Sequence, residues 1–351
     1  MSTDRFAPQA SHPNKQILPV LLAGELPPMA VEELRRVDDR IVLVQLSDQE
    51  RSFYSSKQQL LVPQPDELRQ AIRARLAWAQ VLLTFPQTPP DLSRSVPSLR
   101  WLQLLTAGAD ELPDQALLER VPVTTIREVR ARPVAEYAML LLLAFAKRLD
   151  GSLVLKRTKQ WERLQAMELR GRTVGIIGLG AIGSETAQLA KAFGLRVLAI
   201  RRTPEAGAGV DVDKVLAREQ LADLLGASDF VVLTAPSTPE TYHLIGEAEL
   251  RAMQRHAVLI NVARGALVDE KALIQALAKG WIAGAGLDVF EEEPLSPSSP
   301  LYTMDNVLVS CHSAGTTDQF AERVLPVLAD NFRRFLAGQP LRNQVDPRRG
   351  Y

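Results

Sequence analysis

The stretch Thr173-Val174-Gly175-Ile176-Ile177-Gly178-Leu179-Gly180-Ala181-Ile182-Gly183 decides the fold. Its apolar, β-branched half reads as a buried strand, the G-x-G-x-x-G as a tight turn, and Ser184 to Phe193 as a helix closed by Gly194. Strand, glycine turn and helix in that order open a dinucleotide-binding unit. Gly178 makes the turn, Gly180 lets backbone amides approach a pyrophosphate, and Gly183 allows close packing of the helix. The helix N-terminus then faces the phosphates. Gly178, Gly180, Ala181, Ile182 and Gly183 are the candidate cofactor-binding positions of this turn.

Working outward, Arg196-Val197-Leu198-Ala199-Ile200 reads as a second strand, and its end, Arg201-Arg202-Thr203-Pro204, should face the adenosine ribose. An acidic residue there would accept from the ribose 2′-OH and select NAD. This chain has Arg201 and Arg202 instead. Two guanidinium groups suit a 2′-phosphate, which makes NADP the preferred cofactor and NAD the alternative; the bland reading is a pair of solvated arginines.

Further strands follow at Phe230–Thr234, Ala257–Asn261, Gly284–Val289 and Asn306–Ser310, separated by helical segments such as Asp269 to Lys279. They complete a doubly wound domain of about six strands. The first third alternates in the same way: Ile17–Leu22, a helix over Pro28–Arg36, Ile41–Val44, a helix over Pro65–Ala77, then Val81–Thr84, Leu99–Leu104 and Val121–Thr125. Such alternation implies a second parallel sheet covered by helices, with no fingerprint of its own. From Pro133 to about Lys159 the pattern predicts one long helix, strongly apolar through Ala138–Ala146. Burial within one domain, a crossing between domains or packing on a second subunit would each cover so apolar a helix.

At 351 residues and 46% hydrophobic content the chain can build two cores. Lys+Arg and Asp+Glu balance at 41 each, which leaves no electrostatic footprint for nucleic acid or an anionic membrane. The single cysteine, Cys311, excludes an intrachain disulfide and fits a reducing compartment. Met1 to Gln16 has no signal-peptide core and reads as a frayed tail, and Ala138–Ala146 is too short to span a bilayer. A cytoplasmic protein is the expectation, with a small molecule as its partner and no metal assigned.

Three strand ends carry chemistry: Asn261-Val262-Ala263-Arg264-Gly265, Glu291-Glu292-Glu293-Pro294 and Cys311-His312-Ser313-Ala314-Gly315. Carboxyl ends of strands line the ligand crevice of a doubly wound sheet, so these groups can converge beside a nicotinamide. Arg264 would grip an α-keto acid bidentately, His312 would give or take the hydroxyl proton, and one of the carboxylates would orient His312.

These residues resemble the D-isomer-specific 2-hydroxyacid dehydrogenase family. The segments that carry the resemblance are Leu169–Gly175 with the GLGAIG turn, Ala235-Pro236-Ser237-Thr238-Pro239-Glu240-Thr241, NVARG, Leu287-Asp288-Val289-Phe290-Glu291-Glu292-Glu293-Pro294 and His312-Ser313-Ala314-Gly315. The resemblance implies that Arg264 binds substrate, Glu293 is the carboxylate paired with the histidine, and His312 is the acid/base. It also implies that Asp288 contacts the nicotinamide carboxamide and that Ala235-Pro236 and Val262-Ala263 wall the cofactor pocket. Ala107, Gly108 and Ala109 stand where the family's substrate-carboxylate loop belongs, although a plain strand-to-helix turn fits those residues equally well. The implied fold is α/β with two doubly wound domains and a cleft between them. By the same resemblance a flavodoxin-like substrate-binding domain of 1–126 and 316–351 is expected to flank a Rossmann cofactor domain of 127–315, and a homodimer is expected.

Departures from the family pattern narrow the function. The Arg201-Arg202 pair resembles NADP-using glyoxylate and hydroxypyruvate reductases, and glutamate at 293 argues against formate dehydrogenases, which carry glutamine there. Cys311 replaces a proline common in the family, and an inert buried thiol is its expected state. The expected function is therefore NADP(H)-dependent reduction of a small 2-keto acid. The rivals are an NAD-dependent D-lactate- or phosphoglycerate-type dehydrogenase and a cofactor-sensing, corepressor-like binding protein.

Overall fold

The computed structural model describes residues 16–55, 66–202 and 211–349, so the readings placed on 1–15, Pro65 and Thr203-Pro204 fall outside it. The chain divides into two compact units, one comprising residues up to Val129 together with those from Asp318, the other Arg130–Thr317.

In the first unit β1 (Leu18–Leu22), β2 (Ile41–Gln45), β3 (Val81–Thr84), β4 (Trp101–Leu104) and β5 (Val123–Thr124) form a parallel sheet ordered β2-β1-β3-β4-β5. This is the flavodoxin-like order, with its switch point between β1 and β3. In the second unit β6 (Thr173–Ile177), β7 (Arg196–Ile200), β8 (Lys214–Leu216), β9 (Phe230–Leu233), β10 (Val258–Asn261), β11 (Gly284–Leu287) and β12 (Val307–Val309) form a parallel sheet ordered β12-β11-β10-β9-β6-β7-β8. The order reverses between β6 and β9, beside the glycine turn.

Strand alternation fills two cores in this unit. Leu198, Ile200, Val231, Leu233 and Leu259 enter one cluster, while Val197, Ala199, Phe230, Val232 and Ile260 enter the other. Covering both faces with helices is what lets these strands read as unbroken apolar runs. The seventh strand, β8, was not expected. Lys214-Val215-Leu216 is too short to show periodicity, and it forms by pairing with the free edge of β7 in the register Leu198↔Lys214.

The helix expected from Pro133 to about Lys159 is two helices with different bounds. The first runs Arg127–Ala146 with Pro133 inside it, and the second runs Leu149–Thr158. Proline removes its own amide donor and crowds the Val129 carbonyl, so the turn before it survives only where packing holds it, as burial of Ile126 and Val129 does here. The break falls at Arg148, which adopts φ 57° in the left-handed region. Glycine or asparagine usually announces such a stop, and an arginine gives no such signal. Among the described residues no helix is long and apolar enough to cross a membrane.

Candidate active site

The glycine turn follows β6 directly. Gly178 has φ 108°, and a Cβ there would lie 2.5 Å from the Ala235 nitrogen. A Cβ on Gly183 would lie 2.1 Å from the Gly178 carbonyl oxygen, so only glycine lets the helix Ala181–Ala192 begin this close to the turn. Around Gly180, by contrast, a Cβ would meet nothing within 4 Å. The N-terminus of a twelve-residue helix thus opens over bare backbone beside Ala235. That arrangement fits a pyrophosphate, which needs exposed amides and no side chain in the way.

The turn after β10 carries Val262, Ala263 and Arg264. Asn261 braces it, accepting from the Ala263 amide at 3.1 Å and donating to the Arg264 carbonyl at 2.9 Å. Gly265 seals it, since a Cβ there would sit 1.9 Å from the Phe290 carbonyl carbon. The Arg264 turn and the Phe290–Glu293 segment are therefore packed backbone to backbone. The Arg264 guanidinium, half-buried, donates to the Ala263 carbonyl at 2.8 Å.

His312 and Glu293 meet: His312 Nδ1 and Glu293 Oε2 are 2.8 Å apart. The other oxygen of Glu293 accepts from the Phe290 amide at 3.1 Å. Burial pushes the Glu293 pKa up. The hydrogen bonds from His312 and the Phe290 amide, with the charges of His312 and Arg264, outweigh it and hold the carboxyl below the ordinary glutamate range. Glu291, one of the carboxylates the bare residues left open, pairs with His243 instead.

His312 sits at φ 52°, a left-handed conformation that costs a non-glycine residue on the order of 1–3 kcal/mol unless its surroundings enforce it. Asp288 enforces it. Its backbone carbonyl accepts from the His312 amide at 2.7 Å, one carboxylate oxygen from the Ser310 hydroxyl at 2.7 Å and the Ser313 amide at 2.9 Å, and the other from the Ala314 amide at 2.9 Å. This buried carboxylate is the anchor of the histidine turn, a task the sequence reading did not give it. A carboxylate has about four acceptor sites, so three donors leave room for one more. Arg130 supports the same turn from the helix Arg127–Ala146 by donating to the Gly315 carbonyl at 3.1 Å, and burial lowers its pKa. Nothing in its local sequence marks it.

Cys311 corrects an expectation: it is exposed, not a buried core thiol. The chain leaves β12 at Val309 before reaching it, so its side chain is not packed in the sheet. Arg201 and Arg202 stand at the end of β7, half-buried and exposed respectively. In the first unit, Ala107, Gly108 and Ala109 form a turn after β4, closed by the Thr106 hydroxyl donating to the Gly108 carbonyl at 2.8 Å. Ala109 is buried in that unit's core.

Residues 139–314 match the sequence profile of the D-isomer specific 2-hydroxyacid dehydrogenase NAD binding domain. A glyoxylate reductase of Aeropyrum pernix is 37% identical over 286 residues, covering 78% of this chain and 84% of its own length. Among solved structures, a D-isomer specific 2-hydroxyacid dehydrogenase from Xanthobacter autotrophicus, in complex with NADPH and MES, superposes with a TM-score of 0.75 at 32% identity, covering 95% of this chain and 99% of its own. An NADPH-dependent glyoxylate/hydroxypyruvate reductase from Sinorhizobium meliloti, in complex with NADP and sulfate, superposes at 0.74 with 26% identity, covering 95% of this chain and all of its own. The chain belongs to the D-isomer specific 2-hydroxyacid dehydrogenase family. It is an NAD(P)-dependent oxidoreductase that transfers hydride to or from the CH–OH carbon of a hydroxy acid.

Proposed function

We propose that the protein is an NADPH-preferring reductase of glyoxylate or hydroxypyruvate that works through Arg264, Glu293 and His312. The observation that carries this reading is the 2.8 Å His312–Glu293 pair, held within the electrostatic reach of Arg264. When bound, the nicotinamide cofactor supplies the hydride. Arg264 grips the substrate carboxylate with its planar fork. Glu293 keeps Nδ1–H of His312 occupied, so Nε2–H is the proton delivered to the carbonyl oxygen as the alcohol forms. Asp288 uses its remaining acceptor capacity for the nicotinamide carboxamide, and Ala235-Pro236 with Val262-Ala263 wall the pocket.

The first unit is assigned to substrate binding, through the amides of Ala107, Gly108 and Ala109, and the second to the cofactor. Small keto acids are favoured because the relatives so named align over most of the chain. Initial rates for glyoxylate, hydroxypyruvate, pyruvate and phosphohydroxypyruvate, each with NADPH and NADH, test the assignment. Turnover confined to phosphohydroxypyruvate, or none with any keto acid, would overturn it.

Glu293→Gln is expected to move the alkaline fall of keto-acid reduction to lower pH. The sign follows from reciprocity: the same attraction that holds Glu293 ionised favours the protonated imidazole. With a neutral partner, His312 surrenders its proton at lower pH, and ketone reduction needs that proton. A kcat/KM profile with an unmoved alkaline limb would remove Glu293 from this role.

The protein is further assigned as a homodimer; because Ala138, Met139, Leu141, Leu142 and Phe145 of the helix Arg127–Ala146 are buried in their own unit's core, the apolar side chains left for a partner lie mainly beyond it. Leu140, Leu149, Leu153 and Trp161 are large exposed apolar side chains within 21 residues of each other, Trp161 being 99% exposed. The helix Leu149–Thr158 buries none of its residues. A second chain covering these side chains would remove apolar surface from water. Sedimentation at micromolar concentration is expected to show two chains, and a clean monomer would refute the assignment.

A further inference from the structure

The register of β7 with β8 sets Ile200 opposite Leu216. The Arg201 amide still reaches the Leu216 carbonyl at 3.5 Å; Arg202 follows it, and Ala217 then leads with extended backbone into a short helical turn that opens at Arg218. Neighbouring strands lie about 4.8 Å apart, so the chain leaves β7 and β8 at adjacent points of the sheet edge. Arg202 and Arg218 are both exposed.

A second contact reaches the same corner from the segment after β9. That segment starts at the glycine turn, where Ala235 crowds Gly178, and ends where the Arg218 guanidinium donates to the Glu240 carbonyl. Glu240 is exposed. Its carboxyl is held below the ordinary range by the Thr238 hydroxyl first, and also by the charges of Arg218 and Arg202. Arg202 and Arg218, which follow two adjacent strands, thus both lie within electrostatic reach of the Glu240 carboxylate.

We propose that Arg218 is a specificity-determining residue that reads the 2′-phosphate together with Arg201 and Arg202, and that the Glu240 carboxylate is the counter-charge which the phosphate displaces. The inference rests on the NADP reading above. Arg201 and Arg202 alone offer charge from one strand; Arg218 adds a second donor direction from its neighbour, and guanidinium forks bind phosphate oxygens best when they converge from different sides.

The test is calorimetric titration of the full-length protein with 2′,5′-ADP and with 5′-AMP, which differ only in the 2′-phosphate. Arg218→Gln removes the charge and keeps an amide donor of shorter reach. It is expected to weaken 2′,5′-ADP by about tenfold and 5′-AMP by less than about twofold, as for loss of a charge-assisted hydrogen bond. Equal weakening of both probes would make Arg218 a brace for the 235–241 segment, and no weakening of either would make it a surface charge; both overturn the proposal. Glu240→Gln is expected to tighten 2′,5′-ADP by about threefold, the size of one screened surface charge. Unchanged or weaker binding would sink the counter-charge role.

Failure of the underlying reading looks different. If the wild-type protein binds 5′-AMP as tightly as 2′,5′-ADP, the NADP assignment itself falls. If the wild type prefers 2′,5′-ADP and loses that preference in Arg201→Asp/Arg202→Ala but not in Arg218→Gln, only the Arg218 inference falls.

Discussion

His312→Ala is expected to lower kcat for keto-acid reduction by about 10²–10⁴-fold, the usual contribution of a positioned general acid, while leaving NADPH binding close to wild type. The split follows from geometry. The imidazole is paired with Glu293 through Nδ1, leaving Nε2 as its reacting atom, whereas the glycine turn and the end of β7 lie at other strand ends of the same sheet. Alanine also relaxes nothing that binds nucleotide, because the Ser313 and Ala314 amides keep their bonds to Asp288. Stopped-assay kcat and a fluorescence titration with NADPH measure the two halves. A variant that keeps more than about half of wild-type kcat would exclude His312 from proton transfer, and one that loses NADPH binding in parallel would make the residue structural.

Arg201→Asp combined with Arg202→Ala is expected to weaken NADPH about ten- to a hundredfold and to spare or improve NADH. A charge-assisted hydrogen bond contributes on the order of 1.5–3 kcal/mol, and about 1.4 kcal/mol is a factor of ten in affinity. The introduced aspartate also restores an acceptor for the ribose 2′-OH, which arginine cannot supply. The ratio of kcat/KM for NADPH over NADH is the readout. A wild-type ratio at or below one would make the arginines ordinary surface charges, and the hydroxyacid dehydrogenase assignment would stand without them.

Much of this protein is legible in its sequence. Alternation of apolar runs with helical segments specified two parallel sheets, because strands buried on both faces and the helices covering them carry strong local periodicities. The glycine turn was readable for a similar reason: its φ 108° at Gly178 and the 2.1 Å approach at Gly183 admit no other residue, so the constraint is written into residue identity. Arg264 and His312 stood out as charged or titratable groups at the ends of apolar strands. Choosing Glu293 over Glu291 and Glu292 needed the family resemblance, since three adjacent glutamates look alike to composition and spacing. The fold separates them by partner, His312 for Glu293 and His243 for Glu291.

What only the tertiary structure decided depends on partners distant in sequence. β8 exists because β7 offers an edge to pair with. The break at Arg148 is a backbone state that its residue type does not disclose. Cys311 lies beyond the end of β12, where burial depends on the path of the turn and not on the apolarity of its neighbours. Asp288 becomes the anchor of His312, and Arg130 the support of Gly315, through bonds spanning 22 to 26 and 185 residues. Arg218 is brought to the end of β7 only through the pairing of a strand three residues long. Periodicity and residue identity are local signals and survive in the sequence. A hydrogen bond between distant residues leaves no local mark, because either partner alone is an ordinary polar residue.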